Sequence, residues 1–386
     1  MLIHDFYMIR LLGHGSSGTV HLVREKSSGR LYALKSMPKH DGQSVKRNDA
    51  EQSALLLFRD DDRVIRFYAS FDDSANFYIA TEYFPAGDLF SLIYTCDDFS
   101  RKDAKLYAAE LLLAIEAVHE RGVIHRDLKP ENIMIAMDGH LVLADFGLAW
   151  RLEKGRDFPE SRVGTPEYSA PEVLLEKPYG LEADLWSFGV ILYEMLSRQL
   201  PFQVFLNAPR NDRRWIKLQT QRVVTSDPEF RSCNFSADAK DILQKLLAKQ
   251  FRKRLVSIGK IKLHHFFSTL DWQIMLARSH RPPWRPYFVP CEAEHLPPPL
   301  PPFRPQDNIP SVTEDNPGRN ISACATPCSN IGAGDEYSSP LIKVGWDQVG
   351  ACEACLRLCQ FGRNNPVIDG RSKRLKGWMR CFRNHG

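Results

Sequence analysis

The chain has 386 residues, a formal net charge of +4, 43% hydrophobic residues and 25% charged residues. It is long enough for two or three domains with a sizeable core, and ordinary for a globular protein. The charge is too small for this size to mark a nucleic acid or an anionic membrane as partner. No stretch reaches the roughly 18 apolar residues of a membrane helix, and Met1 to Arg10 lacks the apolar run of a signal peptide. Of nine cysteines only Cys96 and Cys233 precede Phe288. A cysteine-poor body is expected in a reducing compartment, so the protein reads as intracellular, cytoplasmic and/or nuclear.

The first third carries strand signals. Phe6 to Leu12, Thr19 to Glu25 and Leu31 to Met37 are rich in β-branched, aromatic and aliphatic residues, and Ser27-Ser28-Gly29 supplies a hairpin turn. Asn48 to Phe58 takes helical spacing, and Val64 to Phe71 and Phe77 to Tyr83 return to strand character. Beyond Gly87 helices dominate. Ser100 to Asp103 forms a capping box before a helix running past Val118, with Gly122 placed to end it. Further helices are expected near Ala183 to Leu196 and Ser236 to Leu247. Strands followed by helices suggest two lobes with a ligand between them.

Composition shifts after about Pro282. Pro297-Pro298-Pro299-Leu300-Pro301-Pro302 favours polyproline II, a form that SH3-type partners bind. Asn308 to Ser339 is poor in large apolar residues, so disorder is expected. Cys352, Cys355 and Cys359 have partial zinc spacing, with Cys381 or His385 as candidates for a fourth ligand. They would equally share one helical face as apolar residues.

Gly13-His14-Gly15-Ser16-Ser17-Gly18-Thr19-Val20 lies between two expected strands. Glycines let amide hydrogens approach phosphate oxygens. A dinucleotide site would want a helix next; here Val20 to Val23 continues as a strand, which favours a flap over a nucleotide. In Tyr32-Ala33-Leu34-Lys35, alternation puts Ala33 and Lys35 on one face. Lys35 can hold α- and β-phosphates, and Glu51 is the natural anion to pair with it.

His125-Arg126-Asp127-Leu128-Lys129-Pro130-Glu131-Asn132 is the strongest signal. Phosphoryl transfer to a hydroxyl needs a carboxylate at the attacking oxygen, a cation near the γ-phosphate and a metal ligand. Asp127, Lys129 and Asn132 supply these in turn. Asp145-Phe146-Gly147 follows an apolar strand, and Asp145 can chelate Mg2+ bound to ATP. Any one of these residues could occupy a surface loop by chance, but the ordered set could not.

From about Phe6 to about Phe288 the sequence resembles a eukaryotic serine/threonine protein kinase, with Gly13, Gly15, Gly18, Lys35, Asp127, Asn132 and Asp145 matching motif positions. The resemblance implies an α+β, bilobal protein-kinase fold: a small antiparallel β-sheet lobe plus one helix, and a larger mainly helical lobe. The expected division is 1–86 for the small lobe, 87–290 for the large lobe, and 291–386 for a Pro-rich, largely disordered tail. It implies ATP and Mg2+, with protein substrates. Thr81, Glu82 and Phe84 would border the adenine pocket, and Val20 and Ala33 would cover it. Gly164 to Glu172 resembles the end of the activation segment. Glu172 would pair with Arg254, and Asp184 would brace the catalytic loop.

Lys129 after the base marks the serine/threonine pattern. Residues His264 to Trp272 and Arg281 to Pro286 resemble the AGC group, although the Phe-x-x-Phe ending of that group is missing from Cys291 to Gly386. By the same resemblance Asp88, Glu131 and Glu194 would hold basic residues upstream of the target. Ser161 sits where that group carries an activating phosphothreonine, and an activating kinase acting there could dock its phosphate on Arg126. The rivals are a pseudokinase, which would lack one of the catalytic residues, a lipid or small-molecule kinase, which would lack Gly164 to Glu172, and an adaptor acting through the proline tail.

Overall fold

The computed structural model describes residues 1–15, 18–39, 42–152, 158–206, 209, 212–230 and 235–286. The expectations for Ser16, the polyproline run and the cysteine-rich end lie outside the described residues. Five antiparallel strands make one sheet: β1 (Phe6–Gly15), β2 (Gly18–Glu25), β3 (Leu31–Pro38), β4 (Phe67–Asp72) and β5 (Asn76–Thr81), ordered β1-β2-β3-β5-β4. The two-residue period of β3 sends Tyr32 and Leu34 to one side, where Phe6, Val23, Tyr78 and Ala80 complete a small core. Phe6 stacks on Phe71 at 5.8 Å and meets the Tyr32 ring edge-on at 6.0 Å. The opposite face carries Lys35 and Met37 towards helix α1 (Gly42–Leu57).

Two boundaries depart from the sequence expectations. The helix begins well before Asn48, because its first turns are polar and show no apolar spacing. The strand expected from Val64 starts only at Phe67, since Ile65 N–H donates to Leu143 O at 2.9 Å and Leu143 N–H to Arg63 O at 2.9 Å. That stretch is thus paired with the large lobe instead of the small-lobe sheet. After β5, Glu82 N–H donates to Arg66 O at 3.0 Å, and Gly87 turns the chain with φ +80°.

The large lobe begins with α2 (Leu89–Thr95), capped by Asp88, and α3 (Arg101–Glu120). The Ser100 capping box forms as expected: Ser100 N–H donates to Asp103 at 2.8 Å and Asp103 N–H to Ser100 Oγ at 3.2 Å. Short strands β6 (Val123–Ile124), β7 (Ile133–Ile135), β8 (Leu141–Leu143) and β9 (Trp150–Arg151) form two two-stranded ribbons, β6 with β9 and β7 with β8. Then come α4 (Pro171–Leu174), α5 (Glu182–Ser197), α6 (Arg213–Thr225), α7 (Ala237–Leu246), α8 (Ile258–Lys262) and α9 (Trp272–Leu276). Helix α5 is buried all round from Ala183 to Leu196, so it forms the centre of this lobe, packed on α3 and α7. Trp186 and Phe188 on it are fully buried, each stabilising the fold by roughly 2–3 kcal/mol. The result is a strand-rich lobe with one helix joined to a helical lobe.

Candidate active site

The β1–β2 hairpin brings Gly13 opposite Val20, His14 opposite Thr19 and Gly15 opposite Gly18. A Cβ on Gly13 or Gly15 would meet nothing within 4 Å, so space for a phosphate chain lies against that backbone. At Gly18, with φ +131°, a Cβ would collide with the Ser36 carbonyl, which requires glycine there. His14 Nδ1 lies 3.0 Å from Thr19 Oγ1 and pins the hairpin tip.

Lys35 Nζ donates to both oxygens of Glu51, at 2.8 and 2.9 Å, and to Asp145 Oδ1 at 3.0 Å. Strand β3, helix α1 and the turn after β8 thus converge on one ammonium. Burial alone would lower the Lys35 pKa, but the two carboxylates win and raise it, so the lysine is charged. Burial would likewise raise Asp145, but Lys35 and the Gly147 N–H hold it below the usual carboxylate range. Asp145 adopts a left-handed φ of +58°, a strained value for a residue with a side chain. The other Asp145 oxygen has no hydrogen-bond partner among the described residues and remains available to a cation.

Asp127 is held from three directions. Thr165 N–H and Oγ1–H donate to its Oδ1 at 2.9 and 2.8 Å, Lys129 Nζ lies 3.0 Å from Oδ2, and Asn132 Nδ2 donates to Oδ2 at 3.2 Å. Asn132 Nδ2 also donates to Asp127 O at 2.8 Å, which leaves the amide oxygen of Asn132 as its metal-binding atom. A carboxyl oxygen from Asp145 and an amide oxygen from Asn132 form a hard donor set suited to Mg2+.

The loop bearing Asp127 is positioned from below. Asp184, buried on α5, accepts from the backbone N–H of His125 at 2.9 Å and of Arg126 at 3.0 Å, and its Oδ2 lies 2.8 Å from His119 Nε2. Arg126 takes φ +69°, and Gly164, with φ +84°, packs so close that a Cβ there would strike the Arg126 carbonyl. Phe146 packs between Phe58 at 5.3 Å and His125 at 5.0 Å. That stack links Phe58, the residue directly after α1, to the Asp127 loop.

Behind the cleft, Thr81 Oγ1–H donates to Ala33 O at 3.4 Å, and Phe84 is buried. Burial raises the Glu82 carboxyl. Asp88 caps α2 through Ser91 N–H at 2.7 Å, and Glu131 borders solvent beside Lys129 and Asn132. Glu194 is a departure from the groove expectation. It is 1% exposed and accepts from the Tyr94 hydroxyl at 2.8 Å and the Tyr168 hydroxyl at 2.7 Å, so its oxygens face the interior. Ser161 is exposed, and its carbonyl accepts from the Tyr179 hydroxyl at 3.0 Å. Arg126 donates to Leu148 O at 2.6 Å and stacks over Trp150 at 5.1 Å. The sequence did not reveal the part taken by Thr165; only its place in Gly164-Thr165-Pro166 pointed to that segment.

A glycine flap, a lysine–glutamate–aspartate cluster and a braced aspartate facing one another across two lobes define the class of enzymes that move phosphate from a nucleotide to a hydroxyl. The family model for the protein kinase domain matches residues 6–267, and the chain belongs to that family. It is similar to cAMP-dependent protein kinase type 3 of Saccharomyces cerevisiae, 36% identical over 74% of this chain and 70% of that protein. It is also similar to 3-phosphoinositide-dependent protein kinase B of Dictyostelium discoideum, 36% identical over 72% of this chain and 30% of that protein. Ribosomal protein S6 kinase alpha-4 of Mus musculus is 33% identical over 74% of this chain and 38% of that protein. The aligned part thus spans about a third of the longer relatives. The chain is an AGC-like serine/threonine protein kinase, with ATP as phosphate donor and Mg2+ as the usual metal. No helix among the described residues is long and apolar enough to cross a membrane.

Proposed function

We propose that the protein phosphorylates serine or threonine hydroxyls in segments with basic residues upstream of the target, using Asp127 as the residue that accepts the hydroxyl proton. The convergence of Lys35 on Glu51 and Asp145 carries this reading, because it forms only when α1 and the Asp145 turn both face the cleft. Lys35 would hold the α- and β-phosphates, and the amides from Gly13 to Gly18 would cover them. Lys129 would neutralise charge on the transferred group. Mg2+, held by Asp145 and Asn132, would neutralise the terminal phosphates and orient them. Val20, Ala33, Thr81, Glu82 and Phe84 would enclose the adenine. Asp88 and Glu131 would receive arginine side chains through charge-assisted bonds.

The end of β5 at Thr81 and the start of α2 at Leu89 support a lobe boundary near residue 86, with a large lobe over 87–290 and a separate tail over 291–386. An activating kinase acting at Ser161, an SH3-type partner for Pro297 to Pro302 and an intracellular location belong to the same proposal. Asp127→Asn tests its centre. Activity on a peptide carrying arginines should fall about 10²–10⁴-fold with unchanged nucleotide binding and Tm, since one proton-accepting group is lost. Equal turnover by the variant would overturn the assignment.

A further inference from the structure

A second polar cluster lies inside the large lobe, made from residues outside the cleft. Glu110 comes from α3, His140 from the turn between β7 and β8, and His280 from the segment after α9. Glu110 Oε1 lies 3.0 Å from His140 Nδ1 and 2.7 Å from His280 Nε2. The side chains are only 4%, 6% and 9% exposed respectively. The second Glu110 oxygen accepts Leu141 N–H at 2.7 Å.

One carboxylate oxygen and two imidazole nitrogens, all within 4.8 Å of one another, are a donor set for a borderline-soft ion. Bonds of roughly 2.0–2.1 Å in a tetrahedron put ligand atoms about 3.3 Å apart. Exchanging the shared protons for an ion would lengthen the two Glu110–imidazole separations by about half an ångström and draw the two imidazole nitrogens, within 4.8 Å of each other, towards the same spacing. Mg2+ prefers oxygen ligands and would not compete here. The ligand backbones are already fixed. Arg278 donates to Leu141 O at 2.7 Å, and the Tyr107 hydroxyl bonds Gly139 O at 3.1 Å. A Cβ on Gly139 would strike the Trp284 carbonyl, so the 278–284 segment lies tightly on the turn that bears His140.

We propose that Glu110 Oε1, His140 Nδ1 and His280 Nε2 bind one zinc-type divalent transition-metal ion, which ties the segment after α9 to the large lobe. A water completes the coordination from the side of His280, the least buried of the three residues. The ion is structural and takes no part in phosphoryl transfer.

The test uses the purified full chain, stripped with a chelator and dialysed against zinc chloride. Cys352, Cys355 and Cys359 could hold zinc by themselves, so the chain also carries all three as serine. In that background about one zinc per chain should remain, and zinc should raise the Tm. Cobalt in its place should give a visible spectrum without a thiolate charge-transfer band. Adding His280→Ala should remove the metal and the Tm response. Should that variant fail to fold, Glu110→Gln, which preserves the shape, should weaken zinc binding at least about tenfold. Retention of no zinc in the serine background, or equal retention with and without the His280 or Glu110 change, would overturn the proposal.

Discussion

Glu131 borders solvent, yet its carboxyl lies above the usual glutamate range. The cleft wall withholds water from it, and Asp88 and Asp127 add like charge against the help of Lys129. A proton therefore reaches Glu131 at a higher pH than it reaches an ordinary glutamate near 4.3. If this residue binds substrate arginine, the KM for an arginine-bearing peptide should climb as pH falls from 7 towards 5, while the KM for ATP holds. Glu131→Gln should start about tenfold higher at pH 7 and lose that slope. Steady-state kinetics on both proteins checks this, and parallel pH profiles would count against the basic-residue preference. Ser161 makes a separate prediction. A phosphate there would add charge next to Tyr179, which lies within 3.5 Å of the Arg126 guanidinium. Ser161→Ala should lower activity of the phosphorylated enzyme at least about tenfold, and unchanged turnover with the site mapped as modified would remove the switch.

At the scale of elements, Asp184 shows how a helix holds a loop. Burial opposes its charge, but His119 and the backbone amides of His125 and Arg126 keep the carboxyl below its ordinary value. A carboxyl with a depressed folded pKa contributes stability that is complete above the unfolded pKa of about 3.9 and disappears as pH falls through the folded value. Asp184→Asn should therefore lower stability at pH 7 by about 3 kcal/mol and give a Tm that falls less steeply below pH 4. Thermal unfolding from pH 7 to 3 measures both effects. A variant with wild-type Tm at pH 7 would show that the loop is held by packing alone.

Helix existence was readable from spacing, as α3 shows: Ser100 and Asp103 announced its start, and Gly122, with φ +71°, follows its end. The true beginning of α1 was not readable, because its opening residues, Gly42 to Arg47, carry no apolar period in the sequence. The link between Ile65 and Leu143 was equally hidden, since an apolar run of this length fits any strand partner.

For the whole molecule, one ion pair joins parts far apart in the chain. Arg254, 1% exposed at its side chain, donates to Glu172 at 2.5 and 2.9 Å and lies over the Trp186 ring at 4.9 Å. It binds the end of the activation segment to the centre of the large lobe. Arg254→Met should cost about 3 kcal/mol, because Glu172 would stay half-enclosed without its cation. Urea unfolding should show the loss as a lower midpoint with an unchanged slope, and kinase activity should fall with it. Wild-type stability in the variant would mean that the carboxylate finds water at no cost.

The residue types set the chemistry before any folding is considered. A carboxylate can accept the proton, carboxylate and amide oxygens can grip magnesium, and only glycine tolerates the backbone at Gly18 and Gly164. Those identities and their order named the family and placed Asp127, Lys35 and Asp145. Tertiary structure decided what depends on distance between remote segments. It drew Glu194 inside against two tyrosines, made Thr165 the clamp on Asp127, and brought His280 to Glu110 across 170 positions of chain. Spacing along a sequence reports which side of one element a residue faces. Which foreign element it meets there follows from packing, and packing is a property of the folded whole.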